Sequence, residues 1–401
     1  MKPVLSTGGL SRESRNEAVY SARTILDLAG IALELRVSDE PGIALTINNN
    51  VLADARTLMD VFSISTLRRE SDTGRFRSDG RFDERGITWD TLSAPVTAEA
   101  RRIRTMIETI DPGYVWPESM ESKHMRVIFT HDIDRVDFRD IFSLIKIPLQ
   151  YICPRRTWLP WKRAMNPNML FSVFKQVLEL EFTYAIRSWC FFMGSGKGFG
   201  LRQARYNPED RSVRRWLNSA GSMGTTIGLH GSYLAAETSR YGIEKKRLER
   251  VLSKNVSTHR NHYLRLNYTD YWHQLAHAGF RLDSTVGYAD RIGFRAGIAS
   301  LYRPFDPISG GQSAISVLPL VYMDRSYHLD DPDRIIAEID AVFECVAQAK
   351  GQVAVLTHPE SFALDDRWFD LYAAIIRTAL DKGACVDGTL PSMRENEWII
   401  H

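Results

Sequence analysis

From Lys123 onward the chain alternates short apolar runs with longer amphipathic stretches, and few architectures accept that rhythm. The runs Val127 to Phe129, Trp189 to Met193, Thr226 to Leu229, Ser316 to Leu320 and Val353 to Leu356 each have the length of a strand. Between and after them, Asn168 to Leu180, Glu209 to Ala220, Ile243 to Leu252, Thr269 to Ala278, Asp333 to Ala349 and Asp366 to Ala379 can each supply a helix. Short strands joined by helices form a parallel sheet, so the fold expected is α/β, a (β/α) barrel rather than a sandwich. In such barrels the chemistry gathers at the C-terminal ends of the strands.

The preceding residues have a different texture. Short apolar stretches such as Ile43 to Ile47 and a polar, Arg/Asp/Gly-rich patch from Arg68 to Arg85 predict a small N-terminal α+β domain over residues 1–120, with the barrel over 121–401. Apolar residues at helical spacing, Ile103, Met106, Ile107 and Ile110, make Ser93 to Ile110 a helix that Pro112-Gly113 ends. No chemistry is visible in this part. The Pro-rich segment Ile147 to Asn168 reads as a long loop over one end of the barrel.

With 51 basic against 49 acidic side chains and a net charge of +2, the chain has no field that would favour phosphates, so nucleic acid is a poor partner. No apolar run is long enough for a signal peptide or a membrane span, and the expectation is a cytoplasmic protein without stable membrane insertion. Cys153, Cys190, Cys345 and Cys385 lie far apart, without the CxxC pairs of a zinc ribbon, and are expected to be buried free thiols. Nothing in the sequence indicates an oligomeric state.

Three strand exits carry polar residues that packing does not explain: Thr130-His131-Asp132-Ile133-Asp134, His230-Gly231-Ser232 and Thr357-His358-Pro359. Asp132 and Asp134 stand two apart, so the period of a strand sends both carboxylates to one side. A bound cation would relieve their repulsion, leaving one as ligand and the other as base. The alternative is an Asp-rich turn with one acid capping and the other solvated. Gly231 after His230 leaves room for a ligand to approach. His230 and His358 taken singly are as readily structural histidines; their joint occurrence at strand exits points to a site.

These residues resemble the motifs of the polysaccharide deacetylase (NodB homology, carbohydrate esterase family 4) superfamily, and most closely its branch with a Thr-His-Asp-x-Asp first motif. The resemblance spans residues 124–395 with five landmarks in the family's order. It implies a distorted seven-stranded barrel, Asp132 as general base, Asp134 as metal ligand, and His358 in Leu356-Thr357-His358 as catalytic acid. Arg260 in Arg260-Asn261-His262-Tyr263, similar to the family's R-x-P-Y, would keep Asp132 ionised. Asp283-Ser284-Thr285 falls where the family has a short strand. His230 matches the first histidine of the second motif, but Leu234 stands where its partner histidine is expected. His262 is the expected replacement ligand, with His259 and Ser232 as fallbacks. The implied cofactor is a divalent metal, and zinc suits a mixed nitrogen and oxygen ligand set.

Arg295 and Arg303 follow in the chain as two forked guanidinium groups that could hold a substrate carboxylate or phosphate, unless they pair with Asp283, Asp290 or Asp306. Tyr263 is the aromatic expected to meet a sugar ring. The function expected is removal of an acyl group, N-acetyl, from a carbohydrate, sugar-nucleotide or lipid-linked substrate in surface-polysaccharide or lipopolysaccharide biosynthesis. The rivals are a cyclic-amide hydrolase and a catalytically degenerate carbohydrate-binding or scaffold protein.

Overall fold

The computed structural model describes residues 3–31, 35–73, 75–77, 82–112, 114, 124–138, 166–198, 204–235, 240–266, 268–324, 329 and 331–390. The expected domain boundary at 120/121 and most of the Pro-rich segment 147–168 lie outside the described residues.

The N-terminal part is a mixed four-stranded sheet with helices. Strands β1 (Val4–Gly8), β2 (Arg36–Pro41), β3 (Ala44–Ile47) and β4 (Asn50–Asp54) lie in the order β2-β1-β3-β4, with β1 and β2 parallel and the other pairs antiparallel. Helices α1 (Arg12–Leu28), α2 (Ala55–Ser65), α3 (Arg68–Asp72) and α4 (Pro95–Ile110) complete it. The first two start where a side chain takes up a free backbone donor: Ser11 Oγ accepts from Ser14 N at 3.2 Å, and Asp54 Oδ1 from Thr57 N at 2.9 Å.

The barrel consists of β5 (Arg126–Ile133), β6 (Trp189–Met193), β7 (Thr226–Gly231), β8 (Thr258–Asn261), β9 (Leu282–Asp283), β12 (Ser316–Val317), β13 (Leu320–Met323) and β14 (Gln352–Thr357), with a small hairpin, β10 (Phe305–Asp306) and β11 (Gly311–Gln312), standing outside it. The order is β12-β9-β8-β7-β6-β5-β14-β13, and every pairing is parallel. Only Leu318 and Pro319 separate β12 from β13, so one continuous run pairs with β9 by its first half and with β14 by its second. Counted as one stave, that run closes a ring of seven, the distorted (β/α) barrel expected. Helices α5 (Met169–Thr183), α6 (Arg211–Ser222), α7 (Tyr241–Leu252), α8 (Tyr271–His277), α9 (Pro332–Gln348) and α11 (Arg367–Asp381), with the short α10 (Pro359–Leu364), accompany the strands.

Strand alternation sorts the side chains into two cores. Val127, Phe129, Ile133, Val353 and Val355 join the large core beneath the helices, whereas Ile128, Trp189, Phe191, Leu318, Leu320, Ala354 and Leu356 fill the barrel interior. The large core runs on into the N-terminal part through Leu5, Ile25, Ala100 and Ile103. Phe294 N donates to Thr91 O at 2.8 Å, and Val96 N to Gly297 O at 3.0 Å. At Gly293 (φ 131°) a Cβ would lie 1.9 Å from Thr91 O, so only glycine permits this contact.

β8 and the two-residue β9 are strands although neither is an apolar run, and β9 falls where the resemblance expects a short strand at Asp283. Two sequence expectations need correction. Of the cysteines, Cys190 is a buried free thiol as expected, but Cys345 and Cys385 are only partly buried; Cys153 lies outside the described residues. Gly231 does not clear space for a ligand: a Cβ there would lie 2.3 Å from His259 Nε2 and 2.8 Å from Asn261 Oδ1, so the glycine is required by strand packing.

Candidate active site

The inward phase of β5 runs Ile128, Thr130, Asp132 and then Asp134 just past its end, while His131 turns outward. There His131 Nε2 meets Glu181 at 2.8 Å and its Nδ1 meets Thr357 Oγ1 at 2.9 Å, a buried structural network that Tyr372 and Ser188 complete on Glu181. The two aspartates thus share one side, as their spacing predicts.

Asp132 is gripped from β8. Arg260, wholly buried, donates to Asp132 Oδ1 at 3.0 Å, to Thr130 Oγ1 at 2.7 Å and to the carbonyl and hydroxyl of Ser284 at 3.0 Å each. Its guanidinium lies 4.5 Å over the Phe191 ring at the top of the interior core. Burial lowers its pKa, with Asp132 opposing, yet an arginine at this position stays charged. A paired, hydrogen-bonded carboxylate can stay ionised where an isolated one would neutralise.

Asp134, His230 and His262 converge beside it. Their ligand atoms all lie within 4.8 Å of one another. His230 Nε2 is 3.3 Å from Asp134 Oδ1, and His262 Nε2 is 3.6 Å from the same oxygen. Donors about 2.1 Å from a tetrahedral zinc stand about 3.4 Å apart, so these separations fit a divalent ion between them. His230 Nδ1 faces the Arg260 carbonyl at 3.1 Å, while the buried Nε2 is turned to Asp134. Burial works to lower the His230 pKa, but the carboxylates of Asp132 and Asp134 outweigh it and hold the imidazole above its ordinary value. Carboxylates that favour a proton there also favour a cation.

His262 reaches the site through a strained turn. Tyr263 (φ 62°) and Leu264 (φ 51°) both adopt the left-handed conformation, which costs roughly 1–2 kcal/mol per residue. The Tyr263 ring packs 4.3 Å from the His262 ring and edge-on to Tyr233. The fallback ligands do not join the group. Ser232 bonds Glu244 through its Oγ at 2.5 Å and its N at 2.9 Å, and His259 Nδ1 pairs with Asp283 at 2.8 Å.

His358 follows β14 and enters the same space, its Nε2 4.0 Å from Asp134 Oδ2. Asp324, wholly buried, accepts from its backbone N at 2.7 Å and pairs with its Nδ1 at 2.6 Å, which leaves Nε2 to the cavity. Sequence reasoning missed Asp324. Carrying the Ser316 to Leu320 run through Tyr322 to the next strand exit would have found it.

A cavity of about 330 Å³ opens over these groups. Asp132, Asp134, His230, His262, Tyr263 and Leu264 line part of it; Arg77, Ala289, Asp290, Met323 and His358 line the rest. A larger, shallow concavity of about 520 Å³ on α6 is lined by arginines, serines and one asparagine, and holds no carboxylate, histidine or cysteine.

Neither Arg295 nor Arg303 is among the cavity residues. Arg295 is buried in an ion pair with Glu70 at 2.8 Å, bonded also to Tyr268 and to the Gly287 carbonyl. Arg303 is half-buried; burial lowers its pKa, with the Asp27 carboxylate opposing. The carboxylates facing them, Glu70 and Asp27, come from the N-terminal part, which the barrel's own motifs do not reveal. Among the described residues, the arginine that lines the cavity is Arg77.

Fold and site together define a parallel α/β barrel with an Asp-His-His group suited to a divalent metal beside a paired carboxylate and a paired histidine. The structure is similar to polysaccharide deacetylases across several solved structures, at low sequence identity. A Mycobacterium smegmatis protein classed with the polysaccharide deacetylases is 17% identical with a TM-score of 0.43, covering 68% of this chain and 88% of its own. The chitin deacetylase of Colletotrichum lindemuthianum is 13% identical with a TM-score of 0.35, covering 64% and 82%. A family 4 carbohydrate esterase from Streptomyces lividans, solved with acetate, is 13% identical with a TM-score of 0.31, covering 67% and 95%. No family model matches the sequence, and no curated protein does. Among the described residues no helix is long and apolar enough to cross a membrane.

Proposed function

We propose that this protein is a zinc-dependent hydrolase that removes an acyl group, N-acetyl, from a carbohydrate or sugar precursor. The observation that carries the reading is the convergence of Asp134, His230 and His262 on one cavity that also holds Asp132, paired to Arg260, and His358, paired to Asp324. A divalent cation held by the first three would polarise the acyl carbonyl and lower the pKa of water. Asp132, with Oδ1 bound to Arg260, offers Oδ2 as the base that takes the proton of an attacking water. His358 presents Nε2 to the cavity and would give its proton to the departing nitrogen, while Asp324 stabilises the charged imidazole. Tyr263 supplies a flat apolar face for the sugar ring. The place in surface-polysaccharide and lipopolysaccharide biosynthesis rests on the motif resemblance.

The test is acetate release by the zinc-loaded protein from N-acetylhexosamine oligomers, set beside small cyclic imides. Turnover of the acetylated sugars is expected, falling at least about 10³-fold in Asp132→Asn and in His358→Ala. Turnover of cyclic imides alone would move the activity to the ureide-type reaction. Inertness toward every substrate, with zinc bound, would remove the hydrolase reading.

A further inference from the structure

The barrel does not build the whole cavity. Arg77 comes from the N-terminal part, next to Phe76, whose backbone bridges that of Phe82. It forms an ion pair with Asp290, which lies beyond β9 on the same cavity. Both partners are held in place. Glu84, almost wholly buried, accepts from Ala289 N at 2.7 Å and from Asp290 N at 2.9 Å, and Arg291 donates to the Glu84 carbonyl at 2.5 Å. The Phe76 ring meets Tyr268 edge-on, and the Phe82 ring stacks on Trp89. The Arg77 and Asp290 side chains keep 26% and 39% of their surface, so neither is sealed off from a ligand.

We infer that the Arg77–Asp290 pair is a hydroxyl-reading subsite that selects a neutral sugar ring, making the N-terminal part a wall of the substrate site. The inference rests on the carbohydrate reading above and narrows its substrate class. A guanidinium has five N–H donors and a carboxylate only acceptors, so a fixed pair presents both kinds side by side. Neighbouring sugar hydroxyls, each donor and acceptor at once, match that arrangement. An anionic sugar does not. Asp290 already balances the Arg77 charge, and Asp83 adds a second carboxylate 3.8 Å from Arg77 Nε, itself shared with Arg85 at 2.6 Å. A uronate or sugar nucleotide would bring negative charge against the Asp290 carboxylate on the cavity wall, beside a guanidinium whose charge that carboxylate already balances. This reverses the expectation attached to Arg295 and Arg303, whose guanidinium groups lie outside the cavity.

The experiment is calorimetric binding to the full-length, zinc-loaded protein carrying Asp132→Asn to prevent turnover. The probes are triacetylchitotriose, which is neutral, and a hyaluronan tetrasaccharide, which shares N-acetylglucosamine but adds glucuronate. Chitotriose is expected to bind at least about tenfold tighter than the hyaluronan probe. Adding Arg77→Ala or Arg77→Lys should weaken it about tenfold, and Asp290→Asn should narrow the preference. Zinc content equal to that of the parent shows that each added variant keeps its folded site. Chitotriose binding equal in parent and Arg77 variants, or a parent preference for hyaluronan, overturns the subsite while leaving the carbohydrate reading in place. A parent that binds neither sugar overturns both.

Discussion

Asp324 accepts two hydrogen bonds from His358, and Arg260 shares one guanidinium among Asp132, Thr130 and Ser284, so the reactive side chains depend on buried partners. Asp324→Asn would leave His358 Nδ1 without its anionic partner. Turnover is expected to fall roughly 10²–10³-fold with zinc content unchanged, as steady-state kinetics beside metal analysis would show. Arg260→Ala would strand Asp132 in the barrel interior, and a loss of about 3–5 kcal/mol is expected from urea unfolding. Arg260→Lys should recover little of it, because an ammonium lacks the planar fork that reaches three partners together. Asp132, Asp134, His230 and His358 were legible in the sequence because each ends or follows a short apolar strand, and Arg260 and His262 because Arg260-Asn261-His262-Tyr263 resembles a known motif. Asp324 was not, since its strand was ended too early.

At the scale of elements, what could be read followed hydrophobicity. β5, β6, β7 and β14 are apolar enough to announce themselves. β8, Thr-His-Arg-Asn, spends its inward position on Arg260 and carries no apolar residue, so no hydrophobic signal marks it. The N-terminal sheet was expected only as a small α+β unit, and nothing in the sequence linked its charged patch to the cavity. Glu70, Arg77 and Glu84 in that patch find their partners 207, 213 or 225 residues away in sequence, a separation beyond any local pattern. Gly293 marks the seam. With φ at 131° and Thr91 O only 1.9 Å from the place a Cβ would take, Gly293→Ala must displace the segment joining the two parts. A loss of at least about 2 kcal/mol is expected in urea unfolding, with faster proteolysis of the N-terminal part.

On the scale of the whole molecule, one core runs beneath both parts, and α1 presses on the β10–β11 hairpin through Asp27, whose Oδ2 accepts from Gln312 Nε2 at 3.0 Å. Burial pushes the Asp27 carboxyl up to about 7, against the hydrogen bond from Gln312. An unfolded aspartate ionises near 3.9, so between about pH 4 and 7 the unfolded chain has released a proton that the folded one keeps. Stability contributed at this position is therefore full below about pH 4 and lost as pH rises toward 7, by at most about 4 kcal/mol. Asp27→Asn should abolish that decline: urea midpoints of variant and parent should differ more at pH 8 than at pH 4, with the variant the more stable at pH 8. The metal centre remains the claim on which the rest depends, and zinc titration of the intact protein tests it most directly. One zinc per chain is expected, with affinity at least about 100-fold weaker in His262→Ala and in Asp134→Asn and unchanged in Ser232→Ala. Absence of stoichiometric zinc, or equal affinity without the His262 imidazole, would contradict it.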